Sequence, residues 1–243
     1  MKKGKRSGGT VRSEDSEIVK GLCENLGASD WMSRLKAIEQ LQEMSETHEE
    51  IVTANIIKIF DKFSSRLSDS NSKVNTAALA TMKDIVPRLG ESLSVVVNNV
   101  VPILVQNLAA KNPNISQTSN DILDLILEHV DMLVLVQPFS SATQYGNVRA
   151  KPAMVEKLSY MVERVYPRKQ QTVVRNVLPV LWYLLGNMTG SGAVPGGSGN
   201  LRSATSTLAN SLYTQMGEVL LQHAQNLPPR HAKTLKELVD DDT

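Results

Sequence analysis

Disulfide chemistry is the first thing this sequence excludes. Among 243 residues there is one cysteine, Cys23, and a lone thiol cannot close a bridge within the chain. Nothing marks an oxidising compartment, so the expected location is the cytosol. Aromatic residues are scarce at 4%, against 41% hydrophobic residues overall. The core must therefore be built from Leu, Val, Ile, Ala and Met, a mixture that suits packed helices better than sheets. Long apolar runs are missing too. Val177–Leu185 is among the longest, about half of the roughly 20 residues a membrane-spanning helix needs, so no membrane span is expected. Neither sign of charge dominates, with 26 Lys plus Arg against 25 Asp plus Glu. The global field of a nucleic-acid binder is lacking, and electrostatic function must come from local placement.

What is present is a repeat. Short polar turns containing Asn or Asp, each followed by an aliphatic residue and a helical pattern, recur about every forty residues, a period typical of HEAT units. They are Ser29-Asp-Trp-Met-Ser-Arg34, Asp69-Ser-Asn-Ser-Lys-Val74, Asn112-Pro-Asn-Ile115, Gly146-Asn-Val-Arg149 and Gly199-Asn-Leu-Arg202. The first aliphatic positions after the turns are Leu35, Val74, Ile115, Val148 and Leu201. Apolar residues at helical spacing follow them, such as Val74, Ala78, Met82 and Ile85, and others precede them, such as Ile56, Ile59, Phe60, Phe63 and Leu67. Ser, Asp and Asn at the turns can accept from the free amides of the next helix. Pro152 falls in a first turn, where its missing donor does little harm.

The expected fold is all-α, an α-solenoid of HEAT repeats with five helix pairs and a capping C-terminal helix from about Pro228 to Val239. Residues 1–13, with Lys2, Lys3, Lys5 and Arg6 among Gly and Ser, are expected to form a disordered basic tail. The domain is expected over 14–240, with a flexible Gly-rich loop at 187–199.

Constellations for catalysis fail in turn. The Gly-rich stretch lacks a following Gly-Lys-Ser/Thr and follows no strand, so it is no phosphate cradle. His48, His129, His223 and His231 have neither zinc spacing nor a Cys partner. Cys23 shares a helical face with Val19, Leu22 and Leu26 and is expected to be a small core residue. No enzyme, metal or cofactor is expected.

In a stack of helical hairpins the turns within pairs emerge on one edge. That edge would carry Trp31 and Arg34, Asn71 and Lys73, Lys111 and Asn114, Asn147, Arg149 and Lys151, then Asn200 and Arg202. Asp30 and Asp69 are read as helix-capping acids, leaving a mostly basic strip suited to an acidic partner. Trp31 lies in a polar turn and off the apolar stripe, so it is either folded back on its hairpin or an anchor in a partner's pocket.

The run Asp30-Trp-Met-Ser-Arg-Leu-Lys-Ala-Ile-Glu-Gln-Leu41, with Asp69-Ser-Asn-Ser-Lys-Val74 and the Asn-aliphatic-Arg of the later turns, resembles a TOG domain over residues from about 14 to 240. TOG domains are paddle-shaped HEAT arrays of microtubule regulators, including the CLASP and crescerin groups. The resemblance implies a non-catalytic module that binds αβ-tubulin or the microtubule lattice through its intra-repeat turns and regulates microtubule dynamics. It places Trp31, Asn71 and Lys73 against β-tubulin and Arg202 against α-tubulin, with Asn114 and Arg149 between and Lys151 beside them. The wording is closest to crescerin, the TOG array regulator of axonemal microtubules. The expectation is thus a monomeric domain of a larger multi-domain protein at the cytoskeleton, with the cilium, axoneme or centrosome as its setting. Two other readings stay open. One is a HEAT scaffold that grips another protein by its helix faces, and the other is nucleic-acid binding through the basic strip.

Overall fold

The computed structural model describes residues 8–188 and 200–240. Most of the expected Gly-rich loop, at 189–199, lies outside them, as do residues 1–7 of the expected tail. The described residues are helical throughout their regular structure, with no strand among them. None of these helices is long and apolar enough to cross a membrane.

The chain packs as two compact units. The first runs to Ile103 and includes Asp121–His129. It holds α1 (Gly8–Leu26), α2 (Trp31–Thr47), α3 (Glu49–Ala54), α4 (Ile56–Phe63) and α5 (Ser72–Leu89). Helix α1 begins inside the stretch expected to be a tail. Within this unit α1 packs on α2 and α4, and α2 packs on α5. Two layers result, with Leu22, Leu26, Ile38, Leu41, Ile59 and Met82 buried in the core and Phe60 and Phe63 meeting edge to face at 5.4 Å. Gly90 closes α5 with φ +47, a conformation that L side chains rarely adopt.

Helices α6 (Val97–Leu108) and α7 (Pro113–His129) belong in part to each unit. The second unit, Leu104–Asn120 with the chain from Val130 onward, adds α8 (Met132–Tyr145), α9 (Lys151–Val165), α10 (Gln170–Asn187), α11 (Asn200–Met216), α12 (Glu218–His223) and α13 (Pro229–Asp240). Here α8 packs on α9 and α10, α9 packs on α11, and α13 closes on α10 and α11. The pairs are α1 with α2, α4 with α5, α6 with α7, α8 with α9 and α10 with α11, and α13 lies within a residue of the expected C-terminal helix. Pro102, Pro138 and Pro179 each sit inside the first helix of a pair, where each removes one backbone bond without ending the helix.

Four turns share one local device. Asp30, Asn71, Asn112 and Asn147 stand at equivalent places, and each side chain accepts an amide two or three residues on, from Ser33, Lys73, Asn114 and Arg149 respectively. Four residues after each cap, a side chain donates back to carbonyls at the end of the preceding helix. Arg34 reaches Ala28 and Ser29, Asn75 reaches Leu67, Ser116 reaches Leu108, and Lys151 reaches Thr143 and Gln144, at 2.7 to 2.9 Å. These bonds satisfy carbonyls that have no partner within their own helix. The same register puts Leu41, Met82, Leu123 and Leu158 in the core eleven positions after the cap. Val74, Ile115 and Ala150 are therefore equivalent. The aliphatic alignment by Leu35 and Val148 is two residues out, because the first aliphatic residue after a turn does not stand at a fixed distance from the cap.

Candidate functional site

In the first unit, the turns before α2 and α5 hold four of the expected contact residues, Trp31, Arg34, Asn71 and Lys73. Arg34 does not face solvent. It is buried, and its guanidinium grips Asp69 with two bonds, 2.9 and 3.1 Å, in addition to the carbonyls of Ala28 and Ser29. All its useful donors are spent inside the protein, so the expectation of a partner contact at Arg34 is corrected. Asp69 is corrected with it. Asn71 caps α5, while Asp69 is the counter-charge of Arg34 and of Arg66, which pairs with it at 2.7 Å. Burial opposes ionisation of Asp69, but the Arg34 hydrogen bond, the Asn71 amide and the two guanidinium charges outweigh it and hold the carboxyl below the usual range.

Trp31 opens α2 and is partly exposed. The exposed Lys73 ammonium lies over its ring, 5.1 Å from the centroid. Met32 beside it is 53% exposed, a neighbour that the sequence reading passed over. Two large apolar residues side by side, Trp31 and Met32, in an otherwise polar turn were the available signal. Asp30 holds this turn by accepting the Ser33 amide and hydroxyl, both at 2.9 Å. Those bonds keep its carboxyl below the usual range. The result is an apolar and cationic cluster on a rigid helix start.

In the second unit, Lys111, Asn114, Asn147, Arg149, Asn200 and Arg202 are exposed. Arg149 and Asn200 line one cleft with Ser116, Gln117, Asn120 and Glu156. Lys151 is not part of this surface. It is 4% exposed, its ammonium is held by the Thr143 and Gln144 carbonyls, and it lies 4.9 Å from the Tyr183 ring centroid. Burial lowers its pKa. It holds the turn from inside, so the expected role of Lys151 as a partner contact is corrected. The exposed cations of the turns are Lys73, Lys111, Arg149 and Arg202.

Cys23 sits at the edge of the core, not within it. It is partly exposed between α1 and α4, with its sulfur 3.5 Å from the Lys58 carbonyl, and burial pushes its pKa up. A raised thiol makes a poor nucleophile.

Capped helix pairs with an aromatic first turn and cationic later turns match a known family. The family model described as CLASP N terminal matches residues 23–186. The chain belongs to that family. As a TOG domain it is 45% identical, over 228 residues, to TOG array regulator of axonemal microtubules protein 1 of Mus musculus, an alignment that covers 93% of this chain and 13% of that protein. The chain thus spans about an eighth of that relative's length. Among solved structures, the TOG domain of Zyg9 from C. elegans superposes with a TM-score of 0.68 at 14% identity, covering 99% of this chain and 90% of that one. A structure from work on how crescerin uses a TOG domain array to regulate microtubules in the primary cilium gives 0.59 at 17% identity, covering 86% and 85%. At these identities both report the TOG fold alone.

Proposed function

We propose that this TOG domain is a non-catalytic tubulin-binding module that regulates microtubule dynamics. The observation that carries the reading is the Trp31 and Lys73 pair, a partly exposed indole under an exposed ammonium at the start of two capped helices. Desolvated Trp and cationic side chains supply the large terms at protein interfaces. The proposed contacts are Trp31, Met32, Asn71 and Lys73 in the first unit, and Asn114, Asn147, Arg149, Asn200 and Arg202 in the second. By resemblance, Trp31, Asn71 and Lys73 face β-tubulin and Arg202 faces α-tubulin. The name of the mouse relative, a TOG array regulator of axonemal microtubules, supports a cytoskeletal setting at the axoneme and a place for this module in an array. In an array, linked domains raise one another's effective concentration.

The experiment is gel filtration of αβ-tubulin with the full chain, paired with microtubule co-sedimentation. Wild type should co-migrate with tubulin. Trp31→Ala and Lys73→Glu should co-migrate less while keeping their helical circular dichroism. Co-migration of these variants at the wild-type level would falsify the turn-edge reading. Survival of binding with loss only on substitution of helix-face residues would put a scaffold in its place.

A further inference from the structure

The fourth turn carries an aromatic side chain that nothing in the fold uses. Tyr145 ends α8 and is 80% exposed, more than any other large apolar side chain among the described residues. Its ring makes no ring contact, and its hydroxyl makes no hydrogen bond, among those residues. Yet the backbone around it is held tightly. Lys151 donates to the carbonyls of Thr143 and Gln144, the two residues just before it, at 2.8 Å each. The Gly146 amide just after it donates to the Ala142 carbonyl at 2.9 Å, and Asn147 then accepts the Arg149 amide at 2.9 Å. Gly146 is itself required, since a Cβ there would stand 2.3 Å from the Ala142 oxygen.

A ring that is wet and idle still has its rotamers to lose on binding, but the backbone that carries it is already fixed from both sides. Tyr has two side-chain torsions, and aromatic residues on rigid supports supply interface contact at low entropic cost. The equivalent place two residues before the cap holds Ala28, Asp69 and Ala110 in the other three turns, so the aromatic is peculiar to turn four. Arg149 leaves the same turn and lines the polar cleft with Asn200.

We infer that Tyr145 is the aromatic contact of the second unit with the tubulin surface, packing on an apolar patch beside a carboxylate that pairs with Arg149. This rests on the tubulin reading above and adds a residue to it. It also gives Lys151 a purpose as the internal brace of that contact.

The test titrates the full chain into fluorescently labelled αβ-tubulin and compares wild type, Tyr145→Ala, Tyr145→Phe and Trp31→Ala, with a melting temperature for each. Tyr145→Ala should bind about 10-fold more weakly with an unchanged melting temperature, and Tyr145→Phe should stay within about 2-fold of wild type because the ring is retained. If Tyr145→Ala binds like wild type while Trp31→Ala is weakened, the inference fails and the tubulin reading stands. If Tyr145→Ala loses affinity only in step with its melting temperature, the residue is structural and the inference also fails. If wild type does not bind, the tubulin reading falls and takes the inference with it.

Discussion

Lys73 stands over the ring of Trp31, 5.1 Å from the centroid, and so joins the second turn of the first unit to the first. The two side chains form one surface, because each restricts the other before any partner arrives. Replacing Trp31 by Ala is expected to weaken tubulin binding by about 2 kcal/mol. A double-mutant cycle with Lys73→Ala should give a coupling of about 0.5–1 kcal/mol. Titration calorimetry on the four proteins measures it, and strictly additive losses would mean two separate contacts.

Asp69 is expected to matter for stability, not for binding. Its side chain is 2% exposed and neutralises Arg34 and Arg66. Asp69→Asn leaves a buried guanidinium without its counter-charge, a change that typically destabilises by about 3–5 kcal/mol. The direction with pH follows from the lowered carboxyl. The unfolded chain takes up its proton near pH 3.9, about the ordinary Asp value, before the folded chain does. The ion pair's contribution is therefore full above that value and is lost as pH falls through the folded value. Urea midpoints of wild type should drop over this acidic range, and those of Asp69→Asn should drop less. Parallel curves would remove Asp69 from this role.

Lys151 shifts in the same direction but for the opposite reason, since burial disfavours its charged form. Burial lowers its pKa, so below the ordinary lysine value of about 10.4 the unfolded chain holds the proton more firmly than the folded one. Stability from this residue should rise with pH across the interval between the folded and unfolded values. Lys151→Met should abolish that rise. By leaving the Thr143 and Gln144 carbonyls without their donor, it should also lower stability by about 1–3 kcal/mol. Thermal unfolding at neutral and alkaline pH shows both effects, and a variant as stable as wild type at neutral pH would refute the brace.

Ser119 occupies the core place seven residues after the third cap, where Ala37 and Ala78 stand in the first two repeats. It is fully buried and its hydroxyl has no hydrogen-bond partner. Ser119→Ala restores the small apolar residue of the repeat and should raise stability by about 1 kcal/mol. A lower melting temperature would mean that the hydroxyl is satisfied after all.

Much of the fold was legible before any coordinates. Asp30, Asn71, Asn112 and Asn147 mark their turns because a cap is a bond within a few residues of chain, and Leu41 and Met82 fall on a helical stripe for the same local reason. The candidate site was legible in part. Trp31 and Lys73 were named, although nothing in the chain order says that one lies over the other. Tyr145 was missed because an aromatic at the end of an apolar helix reads as core until its exposure is known.

The sequence by itself determined the all-helical repeat, the places where helices start and the residues available at each turn, since caps and 3.6-residue periodicity act over short stretches of chain. Only the tertiary structure decided which cations turn inward. Arg34 and Lys151 look the same in the sequence as Lys73 and Arg149, but they stand four residues past a cap, within reach of the carbonyls that end the preceding helix. A cation near unpaired carbonyls, or near a buried carboxylate such as Asp69, binds them in preference to water. The spacing from the cap marks the place, but the distant partners, Asp69 for Arg34 and the Tyr183 ring for Lys151, are brought there only by packing one helix against another.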